Sequence, residues 1–193
     1  MKARESGMPD EDCWQTFFSP AAMLERLMAG ADPAGDVAEF GCGYGTFTLP
    51  AAQRTRGLVT ALDIEPAMVA RVAQQAMLLG LGNVRTALRD FVADGTELAS
   101  ATQTHAKVYN LLHLEHPVAL LSEARRILRA DGSLSVIHWR SDIATPRGPS
   151  LEIRPTLAQC AAWMREAGFV AISPVDLTDL SPFHFGLVGR LVA

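Results

Sequence analysis

Between an apolar run and an amphipathic stretch the chain reads Glu39-Phe40-Gly41-Cys42-Gly43-Tyr44-Gly45, three alternating glycines with an acid just ahead of them. Glycine accepts a left-handed backbone and has no Cβ, so such a run can turn sharply and let a ligand reach main-chain N–H groups. The spacing sets it apart from the dinucleotide fingerprint, whose last glycine falls three residues after the second, whereas Gly45 follows Gly43 by two. About 20 residues on, Asp63 closes the next β-rich run, at the distance where a carboxylate can accept hydrogen bonds from a ribose diol. Capping the following helix is the other reading of Asp63.

These groups need elements to hold them. Trp14, Phe17, Phe18, Met23, Leu24, Leu27 and Met28 recur at helical spacing, broken near Ser19-Pro20, behind about ten polar residues that read as a mobile lead-in. Strands are predicted at 36–40, 57–63, 84–89, 107–111 and 133–139. Helices are predicted at 46–54, at 66–79 closed by Gly80, near 95–100, and at 117–129 with Pro117 in its first turn. Asp131-Gly132 reads as a turn into the fifth strand. Alternating strands and helices imply a parallel, doubly wound α/β sheet with right-handed crossovers. After a loop at 140–155 and a helix at 156–167, strands at 169–177 and 183–192 are joined too closely for anything but an antiparallel hairpin.

With 193 residues, 49% of them hydrophobic and 20% charged, the sequence predicts one folded domain, residues 1–30 forming a helical cap segment. The net charge of -4 and the scattered basic residues oppose a nucleic-acid partner. Arg125, Arg126 and Arg129 read as a solvated helix face. Cys13, Cys42 and Cys160 have no metal-ligand spacing and suggest no disulfide framework, so no metal and a cytoplasmic setting are expected. No apolar stretch predicts a membrane association.

The run at 37–52 resembles the first motif of the class I, Rossmann-like S-adenosylmethionine-dependent methyltransferases. Ala61-Leu62-Asp63-Ile64-Glu65-Pro66-Ala67-Met68 is similar to the family's second-strand segment. Residues 124–134 are similar to the segment before its fifth strand. The resemblance spans roughly 35–193 and implies seven strands in the order 3-2-1-4-5-7-6. It implies S-adenosylmethionine as cofactor, with S-adenosylhomocysteine as product. It assigns Glu39, Gly41, Cys42, Gly43, Tyr44 and Gly45 to the methionine moiety and Asp63 to the ribose. Ile64, Asp90 and Phe91 go to the adenine, although Phe91 reads equally as core. Asn110 and Leu111, ending the fourth strand, are placed beside the cofactor, since ligands of open α/β sheets lie beyond the strands' carboxyl ends.

Two departures are visible: the family's Lys-Pro-Gly-Gly turn reads Arg129-Ala130-Asp131-Gly132, and the acid usual at the start of the fourth strand is missing from His105-Ala106-Lys107-Val108. The stretch after that strand lacks the Asn-Pro-Pro-aromatic motif of base-modifying relatives and has no nucleophilic Cys, which favours a small-molecule acceptor. The resemblance points to small bacterial methyltransferases, the broad group that includes quinone-ring and arsenite methylating enzymes. Neither activity carries over, for want of a substrate cap and of a thiolate cluster.

No catalytic residue is fixed by pattern. His113 and His116, with Glu115 between them, are candidates, each also readable as a capping residue; His138 reads as structural. Trp139, Arg140, Arg147 and Arg154 lie on or beside the lid-like loop at 140–155, where arginines can recognise a carboxylate or phosphate. Methyl transfer from a sulfonium is an in-line displacement with an activated leaving group, so positioning and desolvation can suffice. A cofactor-binding protein without turnover is the alternative reading, and a nicotinamide-dependent oxidoreductase a more distant one.

Overall fold

A computed structural model describes residues 10–192. The expected mobile lead-in falls mainly on residues 1–9, outside the described residues. Two short helices come first, α1 (Glu11–Gln15), capped by Asp10 through the Cys13 N–H, and α2 (Pro20–Leu27), with Pro20 in its first turn. Then follow β1 (Val37–Phe40), α3 (Thr48–Arg54), β2 (Val59–Asp63), α4 (Pro66–Leu78), β3 (Val84–Leu88), β4 (Gln103–Tyr109), α5 (Pro117–Ile127) and β5 (Leu128–Trp139). A 3-10 turn (Leu151–Ile153) leads to α6 (Leu157–Glu166), β6 (Val170–Val175) and β7 (His184–Arg190). Thr156 and Gln159 close α6 with a reciprocal capping box.

The seven strands form one sheet in the order β3-β2-β1-β4-β5-β7-β6. The pairs among β1 to β5 are parallel, and β7 is antiparallel to both β5 and β6. This is the doubly wound, mostly parallel sheet with an antiparallel C-terminal hairpin that the sequence implied. β1, β2 and β4 are buried throughout, as strands covered on both faces must be. Alternation sends Phe40, Ala106, Val108, Leu134 and Val136 into a core with α5 and α6, and Val37, Val59, Tyr109, Ile137 and Trp139 into a second core with α2 and Phe47.

Three local expectations need correction. The stretch at 95–100 is not helical: Glu97 has φ 58°, and the Glu123 carboxylate accepts from the N–H and Oγ1 of Thr96, while Arg126 donates to the Leu98 carbonyl and Ser100 Oγ. Side chains of α5 thus satisfy polar groups that a helix would have paired internally. The fourth strand begins at Gln103 and ends at Tyr109, rather than spanning 107–111. Its polar start is buried because Thr104 Oγ1 donates to the Asp36 carbonyl and His105 lies between Ser133 Oγ and Ser135 Oγ at 2.7 and 2.8 Å. Asp131-Gly132 is an irregularity inside β5, with Asp131 at φ 62° and the register stepping from Gln103↔Leu128 to His105↔Ser133. In β6, Ala171 has φ 47°, a register shift falls between Val170 and Ser173, and Pro174 follows.

Burial holds three imidazoles neutral. It pushes His105 and His138 down to about 3 and His184 well below its ordinary value, with nearby positive charge or a neighbouring imidazole adding to the effect. Their folded pKa values lie under the unfolded one, so their stability contribution is complete above about pH 6.5 and lost as the pH falls below it. Urea denaturation at pH 7 and pH 5 is expected to differ by roughly 2 kcal/mol for each imidazole. Equal stability at both pH values would mean that the folded chain accepts these protons.

Candidate functional site

The glycine loop leaves β1 at the carboxyl end of the sheet. Gly41, Gly43 and Gly45 have φ of 72°, 50° and 83°. The Cys42 N–H donates to the Leu62 carbonyl and the Gly45 N–H to the Cys42 carbonyl, both at 2.9 Å. A Cβ on Gly41 would lie 3.3 Å from Leu111, and one on Gly45 3.1 Å from Val72, so both positions combine a left-handed backbone with close packing.

Asp63 ties this loop to the next strand. Its Oδ2 accepts from the Gly43 N–H at 2.8 Å and its Oδ1 from the Glu65 N–H at 3.0 Å, in a nearly buried position. The Cys42 thiol also bonds to this carboxylate, which has about four acceptor positions and so keeps capacity for a further donor. Ile64, next along, is more than a third exposed at the strand's end and presents an apolar surface. Asp90 Oδ1 accepts from the N–H groups of Val92 and Ala93, shaping the turn after β3. Phe91 packs edge-on to Phe40 at 5.3 Å within the core.

Glu39 is fully buried and paired. Its Oε2 accepts from Thr48 Oγ1 at 2.5 Å and lies 3.0 Å from Lys107 Nζ, which also donates to the Phe47 carbonyl at 2.9 Å. Burial pushes the Lys107 ammonium down, and the Glu39 charge opposes that. Lys107 is a partner of Glu39 that the sequence reading did not single out, although a Lys set between Ala106 and Val108 was a signal. The Cys42 thiol is pushed up by burial and by the charges of Glu39 and Asp63, which leaves it unreactive. Tyr44 lies beneath the Arg71 guanidinium, and Arg71 pairs with Glu11; Trp14 Nε1 donates to Thr46 Oγ1. The N-terminal helix therefore docks beside the tail of the loop. A cleft of about 610 Å³ opens there, between α1, α3 and α4. Asp63, Ile64, Asp90 and Asn110 do not line it, so the site is assigned by its chemistry rather than by that hollow.

Beyond β4, Asn110 takes a left-handed backbone with φ 57°, and its buried Oδ1 has no hydrogen-bond partner among the described residues. His113 Nδ1 is 3.3 Å from His138 Nε2. His116 adopts φ 61° ahead of α5 and makes no side-chain cap bond. Trp139 is buried against Phe17 and His184, ring centroids 5.4 and 4.0 Å away. Arg154 donates to the carbonyls of Pro149, Arg140 and Arg147 at 2.7, 3.0 and 3.1 Å and lies over the Trp139 ring. These two residues brace the loop at 140–155. Arg140 is held in a two-point pair by Asp142.

A sheet of this order, with a glycine loop after β1 anchored by an acid ending β2, defines the Rossmann-like methyltransferase fold. Residues 37–132 match the family model described as a methyltransferase domain, and the chain belongs to that family. It is 31% identical over 122 residues, 62% of its length, to nocamycin O-methyltransferase of Saccharothrix syringae, of which the match spans 43%. Its fold is similar to that of a SAM-dependent methyltransferase from Aquifex aeolicus, with TM-score 0.80, 21% identity, and coverage of 95% of this chain and 94% of the other. It is also similar to the [4+2]-cyclase SpnF, with TM-score 0.72, 18% identity, and coverage of 90% and 80%. The fold alone therefore does not name a reaction, which has to be argued from the site.

Proposed function

We propose that the protein binds S-adenosylmethionine over the carboxyl ends of β1, β2 and β4 and transfers its methyl group to a small-molecule acceptor. The observation that carries this reading is the Asp63 carboxylate gripping the glycine loop while retaining acceptor capacity for a ribose diol. The other residues fit the same ligand: Ile64 offers a flat apolar contact for a purine, loop N–H groups suit a carboxylate, and the orphaned Asn110 Oδ1 suits an ammonium. When bound, the sulfonium supplies an activated methyl group. Around it, the chain's own residues orient and desolvate: Leu111 closes on Gly41, and the loop at 140–155, braced by Arg154, stands beside β5.

The scattered charge supports a small acceptor over nucleic acid, and three unpaired cysteines support a cytoplasmic setting. Among the described residues no helix is long and apolar enough to cross a membrane. Calorimetry with S-adenosylhomocysteine is expected to show one site per chain, and NADH no comparable binding. Tight NADH binding with no response to S-adenosylhomocysteine would remove the methyltransferase reading. Binding without transfer of labelled methyl across phenols, carboxylates, amines and thiols would favour a cofactor-binding protein that does not transfer methyl groups.

A further inference from the structure

The carboxyl ends of β4 and β5 bring together two histidines whose hydrogens can be placed by elimination. His138 Nδ1 lies 3.1 Å from the Trp139 carbonyl oxygen, and a carbonyl can only accept, so this nitrogen carries the hydrogen. The ring is buried and neutral, so its Nε2 bears a lone pair. His113 Nδ1, 3.3 Å away, must then donate to it. That leaves His113 Nε2 unprotonated and with no hydrogen-bond partner among the described residues. The two rings meet edge to face, 5.5 Å apart at 72°, and Phe185 stacks against the far side of His138. His138 is fully buried, whereas His113 keeps partial exposure, three residues past the orphaned Asn110.

We propose that His113 is the catalytic base that removes the proton of an acceptor hydroxyl, with His138 as its positioning residue, and that the acceptor is a phenol or an enol. The proposal rests on the methyl-transfer reading. The acceptor's proton passes to His113 Nε2, and the freed oxygen pair forms the new bond to the methyl carbon. The carbon–sulfur pair returns to sulfur, leaving a neutral thioether, and His113 later releases its proton to solvent. The acceptor class follows from what stands behind the base. The chain from His113 through His138 ends on a carbonyl, not a carboxylate, so no negative charge stabilises the imidazolium. Facing His113 are neutral His138 on β5 and Arg154 on the loop; burial first, and then the Arg154 charge, hold its pKa below the ordinary value. Glu115 and His116 share its own loop. An imidazole with no carboxylate behind it suits a hydroxyl whose anion is delocalised, as in a phenol or an enol, rather than an aliphatic alcohol, whose proton is held far more tightly.

The test uses the full chain and begins with S-adenosylhomocysteine calorimetry on wild type, His113→Asn, His138→Leu and His138→Gln, where equal affinities are expected. Labelled methyl transfer is then measured with phenol, 4-nitrophenol, acetylacetone in its enol form, and 1-butanol. Wild type is expected to methylate the phenols and the enol and not butanol. His113→Asn is expected to lose about 100-fold or more on phenol and far less on 4-nitrophenol, which is already ionised at pH 8. Added imidazole is expected to restore part of the phenol rate. His138→Leu is expected to lower kcat, and His138→Gln, whose amide can both accept from His113 and donate to the Trp139 carbonyl, to recover it. Nitrogen-15 spectra of the histidines in wild type are expected to show both rings protonated on Nδ1. Protonation of His113 on Nε2, equal losses on both phenols, or no transfer to any oxygen acid despite cofactor binding would overturn the proposal. Failure to bind S-adenosylhomocysteine would instead overturn the methyl-transfer reading beneath it.

Discussion

Asp63→Ala is expected to weaken S-adenosylhomocysteine binding by about 1 to 3 kcal/mol, roughly 5- to 150-fold, the scale for losing a charge-assisted acceptor. Two effects act together, because the same carboxylate that can accept from a ribose also holds the Gly43 and Glu65 N–H groups. Asp63→Asn keeps the shape but offers one oxygen instead of two, and is expected to fall between wild type and Ala. Gly43→Val is expected to abolish binding, since a β-branched residue at φ 50° is strained and its side chain would stand where the proposed ligand approaches the loop. Calorimetry, paired with a urea midpoint to separate binding from folding, reads all three. Wild-type affinity in Gly43→Val would reduce the loop to a mere turn.

Lys107→Met is expected to cost about 3 to 5 kcal/mol of stability, the loss seen when one partner of a buried ion pair is removed. Glu39 is almost without solvent, and Thr48 alone would remain to balance its charge. The double variant Lys107→Met with Glu39→Gln is expected to recover most of the loss, because no uncompensated charge stays inside. Urea denaturation of the single and double variants checks this. A single variant as stable as wild type would show that water reaches the carboxylate.

The sequence made the parallel sheet, the closing hairpin and the glycine loop legible because each rests on local pattern: strand–helix alternation, a link too short for a crossover, and glycine spacing; the strand order came from the family resemblance. It hid whatever depended on partners far along the chain. Gln103, Thr104 and His105 look like loop residues until Asp36, Ser133 and Ser135 are seen to receive them. The stretch at 95–100 scans as a helix until Glu123 and Arg126 take its polar groups. Phe91 could be core or platform by pattern, and its packing on Phe40 is visible only in the fold. Lys107 drew no notice in the sequence, because its partner Glu39 lies on another strand. His138 read as structural, and its hold on His113 exists only where the ends of β4 and β5 meet.

The hairpin's outer strand also governs how copies of this chain meet one another. A bare strand edge is a template on which a neighbour can add a strand and begin aggregation. β6 is such an edge, yet it is bent by the irregularity at Ala171 and carries Pro174, which has no N–H to offer. At the opposite margin β3 is five residues long and carries Arg85. Both margins thus carry features that oppose edge-to-edge growth of the sheet.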